Sequence, residues 1–330
     1  LKYFLRSALK IIKFGLIFMP LMGSILQSNT VIAGTAVSPY ESFAGNLSFQ
    51  LTGGSFRTTP NSTSACTFDL SGSSNPMSNL PVDAKIEKAY LYWAASSQNT
   101  TADTQVTLNN TPVTANRTYN HFTGTWYFTS GVADVTSIVT RDMNTTYTVE
   151  DLSVYYTQSH CNTQTALGGW ALLVIYEDDA EDFKVVNIYE GFEYFRYSSL
   201  PLTPNNFVLP SNPSGKHAHI TWEGDDSISG GGEQLIFEGQ ELTGSGGNNS
   251  SGNQFDSYSN IQTGFDTYGV DIDEYDISAL LVPGDTEVET IYSAGQDGVL
   301  LSAEIISVSN IPVADLSVTT TDPTSWLEGS

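Results

Sequence analysis

The sequence predicts an all-β protein made of two tandem β-sandwich modules, and three observations lead to this fold class. Apolar and polar residues alternate along much of the chain instead of recurring at helical spacing. Turn-forming pairs such as Asn109-Asn110 and Pro283-Gly284 separate the apolar runs at intervals typical of β-sandwiches. A weak internal repeat relates the two halves of the chain, and each half is long enough to bury its own core.

Two segments show the strand pattern most clearly. Residues 85–93 read Lys-Ile-Glu-Lys-Ala-Tyr-Leu-Tyr-Trp, which is typical of a strand. Residues 170–176 are apolar at every position. Because only a strand covered on both faces buries all of its side chains, we expect residues 170–176 to lie at the centre of a sandwich.

The internal repeat relates residues 134–139, Asp-Val-Thr-Ser-Ile-Val, to residues 276–281, Asp-Ile-Ser-Ala-Leu-Leu. The apolar stretch after Gly169 corresponds in the same way to the one after Gly298. An Asp followed two residues later by Thr or Ser suits a short turn into a strand, in which side-chain oxygens bond local backbone N–H groups. We interpret this motif as structural.

The repeat predicts a first module over residues 34–180 and a second over residues 181–310. The acidic segment 177–182 is the expected exposed joint between them. In each module, the Asp motif followed by a long return strand is similar to a jelly roll of the galactose-binding type, and this is an analogy of fold only.

The first 33 residues have the pattern of a secretory signal peptide. Four basic residues accompany an apolar run over residues 14–26, and cleavage is expected after Ala33. The run is too short for a membrane anchor and contains Pro20 and Gly23. No later apolar run reaches membrane-spanning length, so we expect a secreted or cell-surface protein without a transmembrane segment in its mature chain.

The chain is strongly acidic, with 36 acidic and 12 basic residues and a formal net charge of −24. Residues 1–33 contain four of the basic residues and no acidic one, so the remainder is more acidic still. Such a surface repels nucleic acid and anionic lipid, which argues against binding driven by phosphate contacts. It favours solubility and divalent cations.

The two cysteines, Cys66 and Cys161, both follow the predicted signal peptide. An oxidising compartment allows them to pair, and we predict one disulfide. The alternative is a reactive thiol, although neither cysteine belongs to a CxxC pair. His160 adjoins Cys161, but neighbouring residues of a strand face opposite sides.

Several segments resemble a family of uncharacterised bacterial secreted surface proteins, across roughly residues 80 to 320. The segments are KIEKAYLYWAAS, ADVTSIVT, GGWALLVIYED, NIYEGFEYF, WEGDD and YDISALLVPGDTEVET. The resemblance implies a β-sandwich head that precedes immunoglobulin-like repeats. Residues 311–330 would then be a linker and the start of such a repeat, with further repeats of the same polypeptide expected beyond it.

The sharpest local pattern is His217-x-His219 followed by Glu223. The three residues share strand parity and resemble half of a cupin metal site. The second half is missing, because no histidine follows His219 in the sequence. The alternate positions are apolar, which places both histidines on the solvent side of a strand buried on one face. We therefore predict an exposed strand, with a cupin-like metal site as the alternative.

Two acidic segments offer oxygen ligands for calcium, which takes six to eight of them. The hypothesis assigns the ion to Glu223, Asp225, Asp226, Asp271 and Asp273. Neither segment has the EF-hand spacing, and acidic residues also collect in solvated loops of any acidic protein. Solvated loops are thus the alternative. Two carboxylates could also form a glycosidase pair, but the sequence singles out no such pair.

An aromatic stretch contains three candidates for stacking on a sugar ring, namely Tyr189, Tyr194 and Tyr197. Packing in the protein core explains such a stretch equally well.

Signatures of common enzymes are absent from the sequence, which has no GxSxG motif and no phosphate-binding glycine loop. We therefore predict a non-enzymatic structural or adhesion protein whose partners are glycans or surface proteins. A secreted carbohydrate-binding module is the first alternative, and a cupin-like metal enzyme or a glycosidase is the second. Calcium is the candidate cofactor of the main hypothesis, and the cupin-like alternative would bind a transition metal instead.

Overall fold

The computed structural model describes residues 34–60, 66–225, 232–244, 249–261 and 267–312. The predicted signal peptide, Asp226 and residues 313–330 lie outside these ranges. Strands dominate the described chain, which confirms the predicted all-β class. Among its helices, none has the length and apolar character needed to cross a membrane.

The strands of the first half alternate between long and short. In chain order they are β1 (Ser38–Ser55), β2 (Ser73–Pro76), β3 (Lys85–Ser97), β4 (Gln105–Leu108), β5 (Thr111–Thr114), β6 (Arg117–Phe122), β7 (Tyr127–Asp134), β8 (Thr146–Glu150) and β9 (Gly168–Glu177). Two short helices, α1 (Thr136–Arg141) and α2 (Gln158–Asn162), flank β8.

The second half follows the same plan. Its strands are β10 (Phe183–Phe195), β11 (Ser198–Leu202), β12 (Gly215–Trp222), β13 (Gln234–Phe237), β14 (Gln240–Glu241), β15 (Val270–Asp276), β16 (Thr290–Ala294) and β17 (Val299–Ser309). A 3₁₀ turn at Ser278–Leu280 follows β15, at the position that α1 takes after β7.

The strands form one large antiparallel sheet and two small ones. The large sheet has the order β15-β12-β17-β10-β1-β9-β3-β7-β6, and the small sheets have the orders β2-β8-β4-β5 and β11-β16-β13-β14. The run β1-β9-β3-β7 thus corresponds strand for strand to β10-β17-β12-β15, and the two small sheets correspond in the same way. The repeat seen in the sequence therefore has a counterpart in strand order.

Strand β1 joins the two halves of the large sheet. Its residues 38–46 pair with β10, and its residues 47–55 pair with β9. The exposed turn 177–182 connects β9 to β10, where the sequence analysis expected the joint. Because β1 bonds to both halves, the two predicted modules share hydrogen bonds along this strand, and their boundaries stay a prediction.

Three apolar cores fill the space between the sheets. One contains residues from both halves of the large sheet, such as Leu173 and Ile305. A second packs β3 and β9 against β4, β5 and β8, and includes Trp93 and Trp170. The third packs β10 and β17 against β11, β13 and β16. Strand β9 is buried from Gly168 to Tyr176, which explains why its sequence has no polar face.

The repeated Asp motif makes equivalent local hydrogen bonds in both halves. The Oδ1 atom of Asp134 accepts the N–H of Thr136 at 3.0 Å, and that of Asp276 accepts the N–H of Ser278 at 2.9 Å. These bonds confirm the predicted role of the side-chain oxygens. The expected entry into a strand is wrong, because α1 and the 3₁₀ turn begin here. These short helical segments directly follow β7 and β15.

Cys66 and Cys161 form the predicted disulfide, with their Cα atoms 5.3 Å apart. Cys161 lies in α2 rather than in a strand, so the expectation that His160 faces the opposite side is wrong, and both residues are buried. The disulfide connects the segment before β2 to α2, across 95 residues of sequence.

Replacing both cysteines, Cys66→Ala with Cys161→Ala, should lower the free energy of unfolding by about 2 to 4 kcal/mol, since the closed loop is long. Urea denaturation followed by tryptophan fluorescence measures this change. Ser159→Ala, an exposed change in the same helix, is the control. An unchanged denaturation midpoint in the double variant would contradict the expected role of the disulfide.

Candidate functional site

The predicted exposed strand at His217 and His219 is wrong, because β12 is buried on both of its faces. Its apolar residues, such as Ile220, face the core shared by the two halves, while both histidines face the interior of the second half and are 0% exposed. The small sheet β11-β16-β13-β14 and its neighbouring loops cover the side that the sequence analysis assigned to solvent.

Each of these histidines has an acidic neighbour. The Nε2 atom of His217 lies 3.2 Å from Glu304 Oε1 and 3.1 Å from the Tyr292 hydroxyl. The Nε2 atom of His219 lies 3.2 Å from Asp273 Oδ2. Burial lowers the pKa of His217, partly offset by Glu304. Glu223 lines a separate cavity, so the cupin-like trio of the sequence does not form one cluster.

A cavity of about 530 Å³ lies where the ends of β10 and β12 meet the turn between β6 and β7. We call it the acidic cavity. Its lining includes the carboxylates of Glu223, Asp225 and Asp297, the rings of Trp126, Phe128 and Tyr194, the guanidinium of Arg196, and several threonine and glutamine side chains. Trp126 and Phe128 belong to the first half of the chain, and the three carboxylates, Tyr194 and Arg196 belong to the second, so both halves contribute to the site.

Glu223 and Asp225 reach the cavity from a tight turn at the end of β12. Glu223 has a positive φ of 79°, and its N–H donates to the Gly269 carbonyl at 2.9 Å. A Cβ at Gly224 would overlap the Phe255 carbonyl and the Asp271 carboxylate, so the turn needs glycine there. The Glu-Gly-Asp sequence therefore fits this turn, because Gly224 lets the chain pass close to Phe255 and Asp271.

Asp297 is held by two backbone groups. Its Oδ2 accepts the N–H of Asp225 at 3.0 Å, and its Oδ1 accepts the N–H of Gly298 at 2.7 Å. A Cβ at Gly298 would overlap the Tyr194 ring, which makes glycine necessary at this position too. These contacts link the turn after β12, the turn before β17 and the end of β10 into one wall of the cavity.

The carboxylates of the cavity are buried, and burial is the main influence on their charge. Glu223, Asp225 and Asp297 are 5%, 1% and 4% exposed. Burial raises the pKa of Asp297 to about 7, against the opposing effect of its two backbone hydrogen bonds and Arg196. Burial and the neighbouring Asp297 and Asp225 raise the pKa of Glu223 well above its usual range. Near neutral pH the cavity can therefore donate protons in hydrogen bonds as well as accept them.

Two aromatic rings of the cavity, those of Tyr194 and Trp126, each contact a histidine ring. Tyr194 stacks on His121 with 4.8 Å between ring centroids, and Trp126 packs on His160 at 4.2 Å. The backbone N–H of Gly34 donates to Nδ1 of His121 at 2.9 Å. Because these contacts restrict the rings, the cavity presents a defined aromatic surface rather than mobile side chains.

The three aromatic candidates from the sequence occupy different environments. Tyr189 is 5% exposed and packs in the core of the second half, as the core-packing alternative expected. Tyr197 is 73% exposed and is not part of the cavity lining. Only Tyr194 lines the acidic cavity. The stretch therefore does not form one continuous platform, because its residues belong to different faces of β10 and to the turn after it.

The calcium candidates separate into two groups. Glu223 and Asp225 line the acidic cavity, whereas Asp271 and Asp273 project from β15 into the interior of the second half. The Asp271 carboxylate approaches the Cα of Gly224, so the two groups are neighbours. These residues are buried, in contrast to the solvated loops of the alternative interpretation.

Sequence reasoning missed Asp297, Trp126 and Arg196. The repeat drew attention to Gly298 but not to the preceding Asp297. No local pattern marks Trp126 or Arg196, since the residues of the cavity come from segments that are far apart in the sequence.

Asp297→Asn should make stability less dependent on pH. With its pKa raised from 3.8 to about 7, folded Asp297 keeps a proton that the unfolded chain loses above about pH 4. The free energy of unfolding should fall as pH rises from about 4 to about 7, by up to about 1.4 kcal/mol per pH unit for this one group. Asparagine at this position removes that contribution.

Urea denaturation at pH values between 4 and 8 measures the difference. Asp83→Asn, an exposed change of the same kind, is the control. Equal pH dependence in wild type and Asp297→Asn would show that the buried carboxyl does not titrate as described.

No protein-family model and no curated protein matches the sequence. Among solved structures, the glycoside hydrolase BuGH86 in complex with neoagarooctaose is matched with 10% identity and a TM-score of 0.24, over 84% of this chain and 34% of that chain. The major capsid protein P2 from bacteriophage PM2 has 10% identity, a TM-score of 0.23 and coverage of 82% and 99%. N-glycanase F has 13% identity, a TM-score of 0.21 and coverage of 82% and 98%. The chain spans about a third of the glycoside hydrolase, and TM-scores this low carry no argument.

Proposed function

We propose that the protein is a non-enzymatic binding protein, secreted or at the cell surface, that holds part of a carbohydrate in the acidic cavity. The observation that carries this proposal is the composition of the cavity wall. Within about 530 Å³ it brings together three carboxylates, three aromatic rings and one guanidinium, beside threonine and glutamine side chains. Saccharides offer hydroxyl groups for the polar side chains and C–H faces for the rings.

The protonation of the cavity favours a neutral polar ligand. Hydroxyl groups both donate and accept hydrogen bonds, and a mixture of ionised and protonated carboxyls does the same. The raised pKa values of Glu223 and Asp297 support such a mixture near neutral pH. A purely anionic ligand would be repelled by the ionised carboxylates and by the net charge of −24.

The same proposal includes a scaffold of two tandem jelly-roll modules. The matching order of four strands of the large sheet and of one small sheet in each half supports it, with β6 as an additional edge strand of the first half. Adhesion to glycans or surface proteins suits a cavity built from both modules. The signal-peptide pattern of residues 1–33 and the disulfide support export.

Arg196→Ala should weaken glycan binding at least about tenfold, since a guanidinium hydrogen bond to a ligand contributes on the order of 1.5 to 3 kcal/mol. Arg196 is exposed and its Nε donates to the Gln296 carbonyl at 2.6 Å, so the fold should tolerate the change. A glycan array identifies the ligand, and titration calorimetry of wild type and variant measures the affinity.

Arg141→Ala removes the same charge from a distant exposed position and is the matched control. Binding that is equal in all three proteins, or absent from wild type across the array, would contradict the proposal.

A glycosidase is the second candidate, favoured by the pairing of the buried carboxyls of Glu223 and Asp297, whose raised pKa values suit a general acid. Release of reducing ends from the bound glycan by wild type, and its loss in Asp297→Asn, would replace the binding proposal with this one.

A further inference from the structure

Behind the acidic cavity, the interior of the second half contains a second group of carboxylates. We call it the interior carboxylate cluster, consisting of Glu233, Asp256 and Asp271. Glu233 and Asp271 are 0% exposed, and Asp256 is also buried. The binding proposed for the acidic cavity does not use these residues, so their burial needs a separate explanation.

Three segments of the second half bring the cluster together. Asp271 lies on β15, opposite Thr221 of β12, and faces the interior together with Asp273. Glu233 precedes β13, where its carbonyl accepts the N–H of Gln254 at 3.2 Å. Asp256 lies in the same segment as Gln254, two residues after it. The segments lie against one another, because Asn249 donates to Asp256 Oδ2 from its backbone N–H and to Asp273 Oδ2 from its Nδ2.

Most oxygen atoms of the cluster lack a hydrogen-bond donor of normal geometry. This holds for both carboxylate oxygens of Glu233, both of Asp271 and the Oδ1 of Asp256. The ion pairs found among the described residues do not include these three side chains. Buried carboxylates are normally paired, hydrogen-bonded or bound to a metal, so a set of them without partners indicates that a positive group belongs there.

Asn249 gives an indication of a bound cation that does not depend on the acidic residues, because its side chain is a neutral amide. Its side chain is 0% exposed, and its Nδ2 donates to Asp273 Oδ2 at 2.9 Å and to the Gln254 carbonyl at 3.1 Å. Its backbone N–H donates to Asp256 Oδ2 at 2.8 Å. Among the described residues, the Oδ1 atom of Asn249 has no hydrogen-bond donor. A buried amide oxygen beside unpartnered carboxylates is the donor set of a hard cation.

We propose that Glu233, Asp256 and Asp271, with the side-chain oxygen of Asn249, bind one divalent cation in the interior of the second half. Oxygen donors without nitrogen or sulfur select Ca²⁺ over Zn²⁺ and Cu²⁺. Asp273 is a positioning residue, since it accepts hydrogen bonds from Asn249 and from the Asn260 N–H and pairs with His219. The ligand set shares Asp271 with the calcium hypothesis of the sequence analysis and replaces the other four residues.

Binding requires the oxygen atoms of the cluster to move closer together. Within the described ranges, no three His, Cys, Asp or Glu side chains are already gathered at metal-ligand spacing. Calcium–oxygen distances are about 2.3 to 2.6 Å, so the cluster must contract around the ion.

Cation binding would also order the acidic cavity. The Asp271 carboxylate contacts Gly224, which lies between the cavity residues Glu223 and Asp225. An ion at Asp271 would therefore hold the turn after β12 in place. The cation site does not depend on carbohydrate binding, and calcium affinity can be measured without any glycan.

The test uses the whole chain, dialysed against EDTA and then titrated with CaCl₂ by calorimetry. We expect one Ca²⁺ per chain and a melting temperature raised by about 5 °C at saturating calcium. Asp271→Asn should weaken calcium binding at least about tenfold. Asp179→Asn, an exposed change of the same charge, should bind as wild type does.

Glu233→Gln provides a second variant, in case Asp271→Asn does not fold, and should also lose at least about tenfold in calcium affinity. Wild type that binds no calcium would overturn the proposal. So would calcium affinity that is unchanged in both folded variants, because the ion would then be held elsewhere on this acidic chain.

Discussion

Burial of the large sheet on both of its faces is the constraint on which the rest of the structure depends. In β9 and β17, apolar residues predominate on both of the buried faces. In β12 and β15 one face is apolar and packs on the shared core, while the other carries His217, His219, Asp271 and Asp273. Because polar groups cannot be buried without partners at low cost, this second face has to be completed by hydrogen bonds, ion pairs or a bound ion.

The two halves of the chain share strand order but differ in what they bury. The interior of the first half is apolar and centred on Trp93, Trp170 and Tyr147. The corresponding interior of the second half holds the interior carboxylate cluster and the two histidines beside an apolar core. The first half contributes the turn with Trp126 to the acidic cavity, but the carboxylates that line the cavity come from the second half. The repeat thus accounts for the strand order that the two halves share. The buried ionisable residues of the second half arise from its differences in sequence from the first half.

The all-β class and the internal repeat could be anticipated, because alternation, turn residues and the Asp motif are local signals. The buried β9 was predicted from an apolar run, and the disulfide from two cysteines in a chain that begins with the pattern of a signal peptide. The location of His217 and His219 could not be anticipated, since alternation within one strand shows which residues share a face but not whether a second sheet covers that face. The acidic cavity was also missed, because Asp297, Trp126 and Arg196 meet only through the packing of distant turns.

By itself, the sequence determined the all-β class, the internal repeat, the strongly acidic charge and the disulfide pair. Each of these depends on composition or on spacing along the chain. Only the tertiary structure decided that β1 bonds to both halves, that β12 is interior and that Glu223, Asp225, Asp271 and Asp273 are buried rather than in solvent. The physical reason is that burial depends on which sheets pack against each other, and that information lies in long-range contacts.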